Sequence, residues 1–164
     1  MIDPKNCAEI MKQAPIFRDF NETECRQLWE IATEETYQPG QTIIEQDAIG
    51  GTLWIMLEGK ATVTRRREKP AGGEPIVLAE LEPMNHFGEM SFFHRAGHSA
   101  TVRATTPVKV LRIDHRDYDE LIRDGARSAF KLAYNVLLSL SDRLRHMDAW
   151  IAELSDQPET SRPK

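Results

Sequence analysis

The sequence predicts a mainly β domain flanked by helices, shaped as a small sandwich or barrel and followed by one long helix. Three observations carry this. Between Tyr37 and Ile113 six short β-rich runs follow one another: TIIEQ, TLWIML, KATVTRR, PIVLAEL, SATVRA and VKVLRI. Most are separated by glycine or proline, as at Pro39-Gly40, Gly50-Gly51, Gly59, Gly72-Gly73 and Pro107, a spacing that suits antiparallel strands rather than a parallel α/β sheet. Helix-start signals precede this region, and an apolar series of helical period follows it.

At 164 residues, with 40% apolar and 29% charged residues, the chain suits one globular domain and an appended helix. The boundaries read as 1–125 for the β domain with its leading helices, 126–154 for the long helix and 155–164 for a polar, proline-bearing tail. A net charge of −5 argues against general polyanion binding; the local run Arg65-Arg66-Arg67 reads as a solvated strand end. No apolar stretch approaches the ~20 residues of a membrane span, and MIDPKNCAEIMK lacks the pattern of a signal peptide. Cys7 and Cys25 each fall on an apolar helical face, with Ile10, Met11 and Ala14 and with Leu28, Trp29 and Ala32 respectively, as reduced core thiols do. A cytoplasmic, disulfide-free protein is expected.

The elements follow in order. Asp3-Pro4 opens a first helix. Asn21 caps a second, with Glu24 completing a capping box and Phe20 set to staple against Cys25. In SATVRA the apolar Ala100, Val102 and Ala104 alternate with Ser99, Thr101 and Arg103, so one face of that strand points inward. EKPAGGEP reads as a mobile hairpin tip. Asp114 caps a later helix carrying Tyr118, Leu121 and Ile122, which Gly125 ends or bends.

From there Ala126, Phe130, Ala133, Leu137, Leu140, Leu144, Met147, Ile151 and Leu154 recur at alternating steps of four and three. This is a heptad seam of about four repeats. Two uses are open for it: packing along the helix's own domain, which wants a broader stripe, or pairing with a second copy. The strictness and length of the seam favour a homodimer, in which Arg143 at g would face Asp148 at the following e of the partner helix.

The stretch FGEMSFFHRAGHSATVRA, Phe87 to Ala104, carries the candidate chemistry. Gly88 allows backbone to approach a ligand, and N–H groups opening a short helix suit an anion. Glu89 is an acceptor suited to a sugar hydroxyl, and Ser99 offers a hydroxyl to a phosphate oxygen. Together with Pro39-Gly40 and Ile43, Leu53-Trp54-Ile55 and Leu57-Glu58-Gly59, this stretch resembles the cyclic nucleotide-binding domain family. That family includes the catabolite activator protein and the regulatory subunits of cyclic-nucleotide-dependent kinases. The resemblance runs from about Ala14 to Leu154. It implies a jelly-roll-like β-roll (a double-stranded β-helix) and a phosphate-binding cassette made of Phe87, Gly88, Glu89, Met90, Ser91, His98, Ser99 and Ala100. It further implies a base contact on the long helix near Met147 and Asp148, and cAMP, cGMP or a related phosphorylated molecule as ligand.

One position departs from the family pattern. Where the family places an arginine whose fork grips the cyclic phosphate, this chain has His98. A neutral imidazole offers one donor and no charge. Loss of a charge-assisted contact costs on the order of 2–3 kcal/mol, or roughly 30- to 150-fold in affinity. Arg95, in the same loop, is the candidate substitute cation, ahead of Arg103. The alternative is a degenerate module of the same fold that binds no nucleotide and serves protein interaction and dimerisation with an unidentified partner.

Other classes find little support. No Ser-His-Asp, Cys-His or paired-acid arrangement is identifiable, so an enzyme is not expected. His86, His94 and His98 lie close in sequence but lack a carboxylate at a ligating spacing, so neither a metal nor a resident cofactor is expected. Only a short polar stretch follows Leu154, which with the acidic composition argues against direct DNA binding.

Overall fold

The computed structural model describes residues 11, 13–67 and 73–156. The helix expected from Asp3-Pro4, with Cys7 and Ile10, the hairpin tip at 68–72 and the tail beyond 156 lie outside the described residues, as does the side chain of Leu154.

The β region is built from β1 (Ala32–Tyr37), β2 (Thr42–Ile44), β3 (Thr52–Glu58), β4 (Ala61–Arg65), β5 (Ile76–Leu81), β6 (His86–Phe87), β7 (Thr101–Ala104) and β8 (Val108–Asp114). They form two antiparallel sheets, β1-β8-β3-β6 and β2-β7-β4-β5. The six strands expected from the sequence are present. β1 and β6 are additions. The sequence of β1, ATEETY, has no buried residue and hence no alternating apolar signal; it is a strand because it pairs along its whole length with β8, from Ala32 opposite Ile113 to Tyr37 opposite Val108.

β3 explains how the layers stack. All of Thr52 to Leu57 is buried, because both faces of this strand are covered. Trp54 and Met56 point between the sheets, where they meet Ile44, Leu81, Phe87, Val102 and Val110. Leu53, Ile55 and Leu57 point the other way, into a second core shared with the helices.

From Glu22 onward the described residues form four α-helices: α1 (Glu22–Glu30), α2 (Glu89–His94), α3 (His115–Arg123) and α4 (Arg127–Asp156). The expected capping box is present at α1, where Asn21 Oδ1 accepts from the Glu24 N–H at 2.9 Å and Glu24 Oε2 accepts from the Asn21 N–H at 2.9 Å. Cys25 and Leu28 are buried as expected, but α1 stops at Glu30 and Ala32 belongs to β1. Ile31 closes the helix and the chain enters the sheet at once. Replacing Asn21 with Ala is expected to lower the unfolding free energy by about 0.5–2 kcal/mol. Urea unfolding should show a lower midpoint with an unchanged slope; an unmoved midpoint would mean the cap contributes nothing.

Glu24 has a second task that the sequence did not disclose. Its carboxylate also meets Lys131 Nζ at 2.6 Å and Arg127 Nε at 3.6 Å, tying α1 to α4. Burial would raise this carboxyl, but Lys131, the Asn21 N–H and Arg127 outweigh burial and hold it below the ordinary value. α3 begins on the Asp114 side chain, which accepts from the Arg116 N–H at 3.0 Å. It ends at Gly125 in a left-handed conformation, φ +69°, with the Gly125 and Ala126 N–H groups returning to Ile122 O and Leu121 O. This is the Schellman arrangement that glycine favours.

α4 has two apolar faces, one of them packed against its own domain. Ala129, Leu132 and Val136 are fully buried against the domain, with Leu140 partly so. Asn135 Nδ2 donates to Ile16 O at 2.9 Å, and the Tyr118 hydroxyl donates to Ala129 O at 2.9 Å. The remaining seam faces outward: Phe130, Leu137, Leu144, Met147 and Ile151 are each more than half exposed. Arg143 is not free for the e/g pairing expected of it, because its guanidinium turns back into its own domain.

Candidate ligand-binding site

β6 leads through Gly88 into α2, and both glycine properties are needed there. Its φ is +83°, and a Cβ would lie 2.6 Å from Trp54 Cε3 and 2.7 Å from Thr52 O. Phe87, just before it, stacks on the Trp54 indole with ring centroids 5.7 Å apart and planes 4° from parallel. This packing presses the start of α2 against β3. A cavity of about 580 Å³ opens between this segment, the inner face of the second sheet and the middle of α4.

Glu89 is part of its wall. The residue is only 4% exposed, yet it carries a carboxylate. Oε1 accepts from Arg143 Nη1 at 2.7 Å, while Oε2 has no partner. The same guanidinium donates through Nη2 to His86 O at 3.0 Å. One residue of α4 therefore holds both the cassette's carboxylate and the strand before it. His86 is buried, and its Nε2 is also unpartnered. Burial, and then the nearby Arg143 charge, push its pKa down to about 3, so the imidazole is neutral under ordinary conditions.

His98 is not a surface loop residue. Its ring is 7% exposed and lies tilted against Trp54, centroids 6.0 Å apart. It also presses on Gly50, where a Cβ would come within 2.1 Å of Nε2. The His98 N–H donates to Ala48 O at 3.0 Å, and its carbonyl accepts from the Asp47 N–H at 2.8 Å. Burial lowers its pKa, so this residue brings no cation to the cavity near neutral pH.

The expected substitute cations lie elsewhere. Arg95 is bound to Asp119 on α3 at 2.6 Å. Arg103 lines a separate outer groove with Thr62, Thr64 and Arg66, because side chains alternate across β7 and its neighbour Val102 faces the cavity. Of the other cassette residues, Ser99 is exposed at the rim with its hydroxyl 3.8 Å from Met90 Sδ. Ser91 and Ala100 are buried, and the Ser91 carbonyl accepts from the Arg95 N–H at 2.9 Å to close α2. On α4, Met147 lines the cavity together with Arg143 and His146. Asp148 does not reach the lining; helical geometry carries it about 100° further round than Met147.

Sequence reasoning missed several residues of the site, among them Arg143, His86, Trp54 and Gly50. Arg143 had a usable signal, since it stands one turn before Met147 and so shares its face. For the other three the relevant contact is long-range. Among the described residues no three His, Cys, Asp or Glu side chains converge on a metal-sized site, and no helix is long and apolar enough to cross a membrane.

Comparison with known proteins agrees with this geometry. The family description "cyclic nucleotide-binding domain" matches residues 34–124. The cyclic AMP receptor protein of Thermus thermophilus is 29% identical over 152 residues, covering 93% of this chain and 67% of the relative. The crystal structure of the catabolite activator protein of the same organism aligns with a TM-score of 0.76 at 29% identity, over 87% of this chain and 63% of that one. A cAMP-dependent protein kinase regulatory subunit of Yarrowia lipolytica is 28% identical over 113 residues, 69% of this chain but 28% of the relative. The chain thus spans only part of the length of these proteins. A regulatory subunit of a cAMP-independent protein kinase A from Trypanosoma brucei shares the fold, with a TM-score of 0.62 at 22% identity over 82% of this chain and 51% of that one. With the β-roll and the family match in agreement, the chain belongs to the cyclic nucleotide-binding domain family.

Proposed function

We propose that the chain is a non-enzymatic signal-sensing module that binds a small ligand between cassette and α4 and passes occupancy to α4, through which it dimerises. The observation that carries this is the two-sided position of Glu89. One carboxylate oxygen holds Arg143 of α4, and the other is buried without a donor on a residue that lines the cavity. A ligand hydroxyl or N–H reaching Oε2 shares the carboxylate with Arg143, so the helix carrying Arg143 responds to the ligand. The outward seam from Phe130 to Ile151 is continuous with this helix and suits a second copy laid alongside. A module that had lost its ligand would be expected to fill the hollow with its own side chains, and the open cavity speaks against that alternative.

Family membership and the names of its relatives point first to cAMP or cGMP. A cyclic nucleotide would find an acceptor for its ribose in Glu89. At its phosphate it would find the rim hydroxyl of Ser99 and a neutral imidazole wedged on Gly50. The fold by itself does not choose the ligand, as a relative described as cAMP-independent illustrates.

Isothermal titration with cAMP and cGMP, on the wild type and on His98→Arg, tests the site. An arginine is too long for the cleft against Gly50 and must extend toward the cavity, so affinity should rise at least about tenfold. Glu89→Gln in the same background should remove most of that gain. No gain from the arginine would count against a ligand site at the cassette.

A further inference from the structure

We infer that the cavity is matched to an uncharged, mainly apolar ligand presenting one hydroxyl or N–H donor, and not to a phosphate-bearing one. The inference rests on the sensing reading above and narrows it. Four observations support it.

The first is the wall. Ile44, Val63, Leu81, Phe87, Val102 and Met147 contribute apolar surface from both sheets and from α4, and about 580 Å³ is within the range of small-molecule pockets. The second is charge. Glu89 and Arg143 both line the cavity and are already paired with each other, while Glu80, opposite Thr62 on β4, turns its side chain to the outer face. The three lining histidines are His86, His98 and His146; burial keeps the first neutral and disfavours charge on the second. A phosphate would bring a negative charge to a wall whose guanidinium is already matched by a carboxylate. Burying a charge without a partner is strongly unfavourable.

The third is that, among the described residues, no other arginine or lysine lines the cavity. Arg95 is held by Asp119 and Arg103 faces the outer groove. The fourth is the polar group left for the ligand. Glu89 Oε2 is a buried acceptor without a partner, so the ligand that satisfies it must donate. One donor on an apolar body meets this need, and a second cation would lie close to Arg143.

A matched pair of probes separates the ligand classes: 2-naphthol, neutral with one hydroxyl, and 2-naphthyl phosphate, which has the same body with a charged ester. Titrations at pH 7.5 should give 2-naphthol a Kd at least about tenfold lower than those of 2-naphthyl phosphate and cAMP. Glu89→Gln should weaken 2-naphthol, which places it at the cassette and not on the exposed seam of α4. His98→Arg should narrow or reverse the preference. Equal or tighter binding of the phosphate ester or of cAMP by the wild type would overturn the ligand class while leaving the sensing site in place. Binding of 2-naphthol that ignores Glu89→Gln, or no binding of 2-naphthol at millimolar concentration, would also overturn it. A sensing site that fails altogether is recognised separately, by the absence of any cAMP gain in His98→Arg.

Discussion

If the outward seam pairs α4 with a second copy, as proposed, Leu144→Glu is expected to turn that dimer into a monomer. Leu144 sits in the middle of the outward seam and is 59% exposed in the single chain. In a paired helix it would be a core knob, and a carboxylate there would be buried against its own counterpart with nothing to compensate it. The dimer dissociation constant should rise at least about 100-fold, or roughly 2.7 kcal/mol. Sedimentation equilibrium reads this directly. The protomer should keep its circular dichroism, because the face that holds α4 to the domain is a different one, carried by Ala129, Leu132 and Val136. A variant that stays dimeric at the same concentrations would mean that the seam is not the interface.

His86 should make the protein sensitive to acid well above the range in which carboxylates titrate. An unfolded-chain histidine titrates near 6.5, whereas in the folded protein burial and the Arg143 charge place this one at about 3. Between those values the unfolded chain binds a proton that the native state refuses. Stability is therefore full above the unfolded value and falls as pH drops, at about 1.4 kcal/mol per pH unit. By pH 5 the loss from His86 alone is about 2 kcal/mol. His98, also lowered by burial, pulls the same way, so the comparison needs a variant. Urea unfolding at pH 7.5 and pH 5.0 should show the wild type losing about 2 kcal/mol more than His86→Leu. The substitution leaves the His86 carbonyl in place for Arg143. Equal losses in both proteins would show that the imidazole is protonated in the folded state.

The parts of the fold legible in the sequence are those fixed by local chemistry. The alternation in SATVRA, the Asn21–Glu24 capping box, the Asp114 cap and the glycine stop at 125 each depend on residues a few positions apart, and each is found as read. That Gly88, Glu89 and Ser99 would line one hollow was also legible from their spacing. What escaped reading depends on distant partners. ATEETY has no apolar period and becomes a strand only through its pairing with β8. The heptad series showed that α4 has a seam, but not that Ala129, Leu132 and Val136 give it a second buried face. Nothing near His98 in the sequence shows that Gly50 and Trp54 make a slot for its ring. Arg143 fitted a partner-facing position equally well; only the fold brings Glu89 and the His86 carbonyl within its reach.

If Arg143 joins the cassette to the dimer helix, then the state of the helix must be felt at the cassette, ligand or no ligand. Amide hydrogen exchange across residues 86–94, compared between the wild-type dimer and the Leu144→Glu monomer, measures this directly. Release of α4 from its twin should loosen the hold of Arg143 on Glu89 and speed exchange in that segment by about fivefold or more. Protection that is the same in dimer and monomer would contradict the coupling.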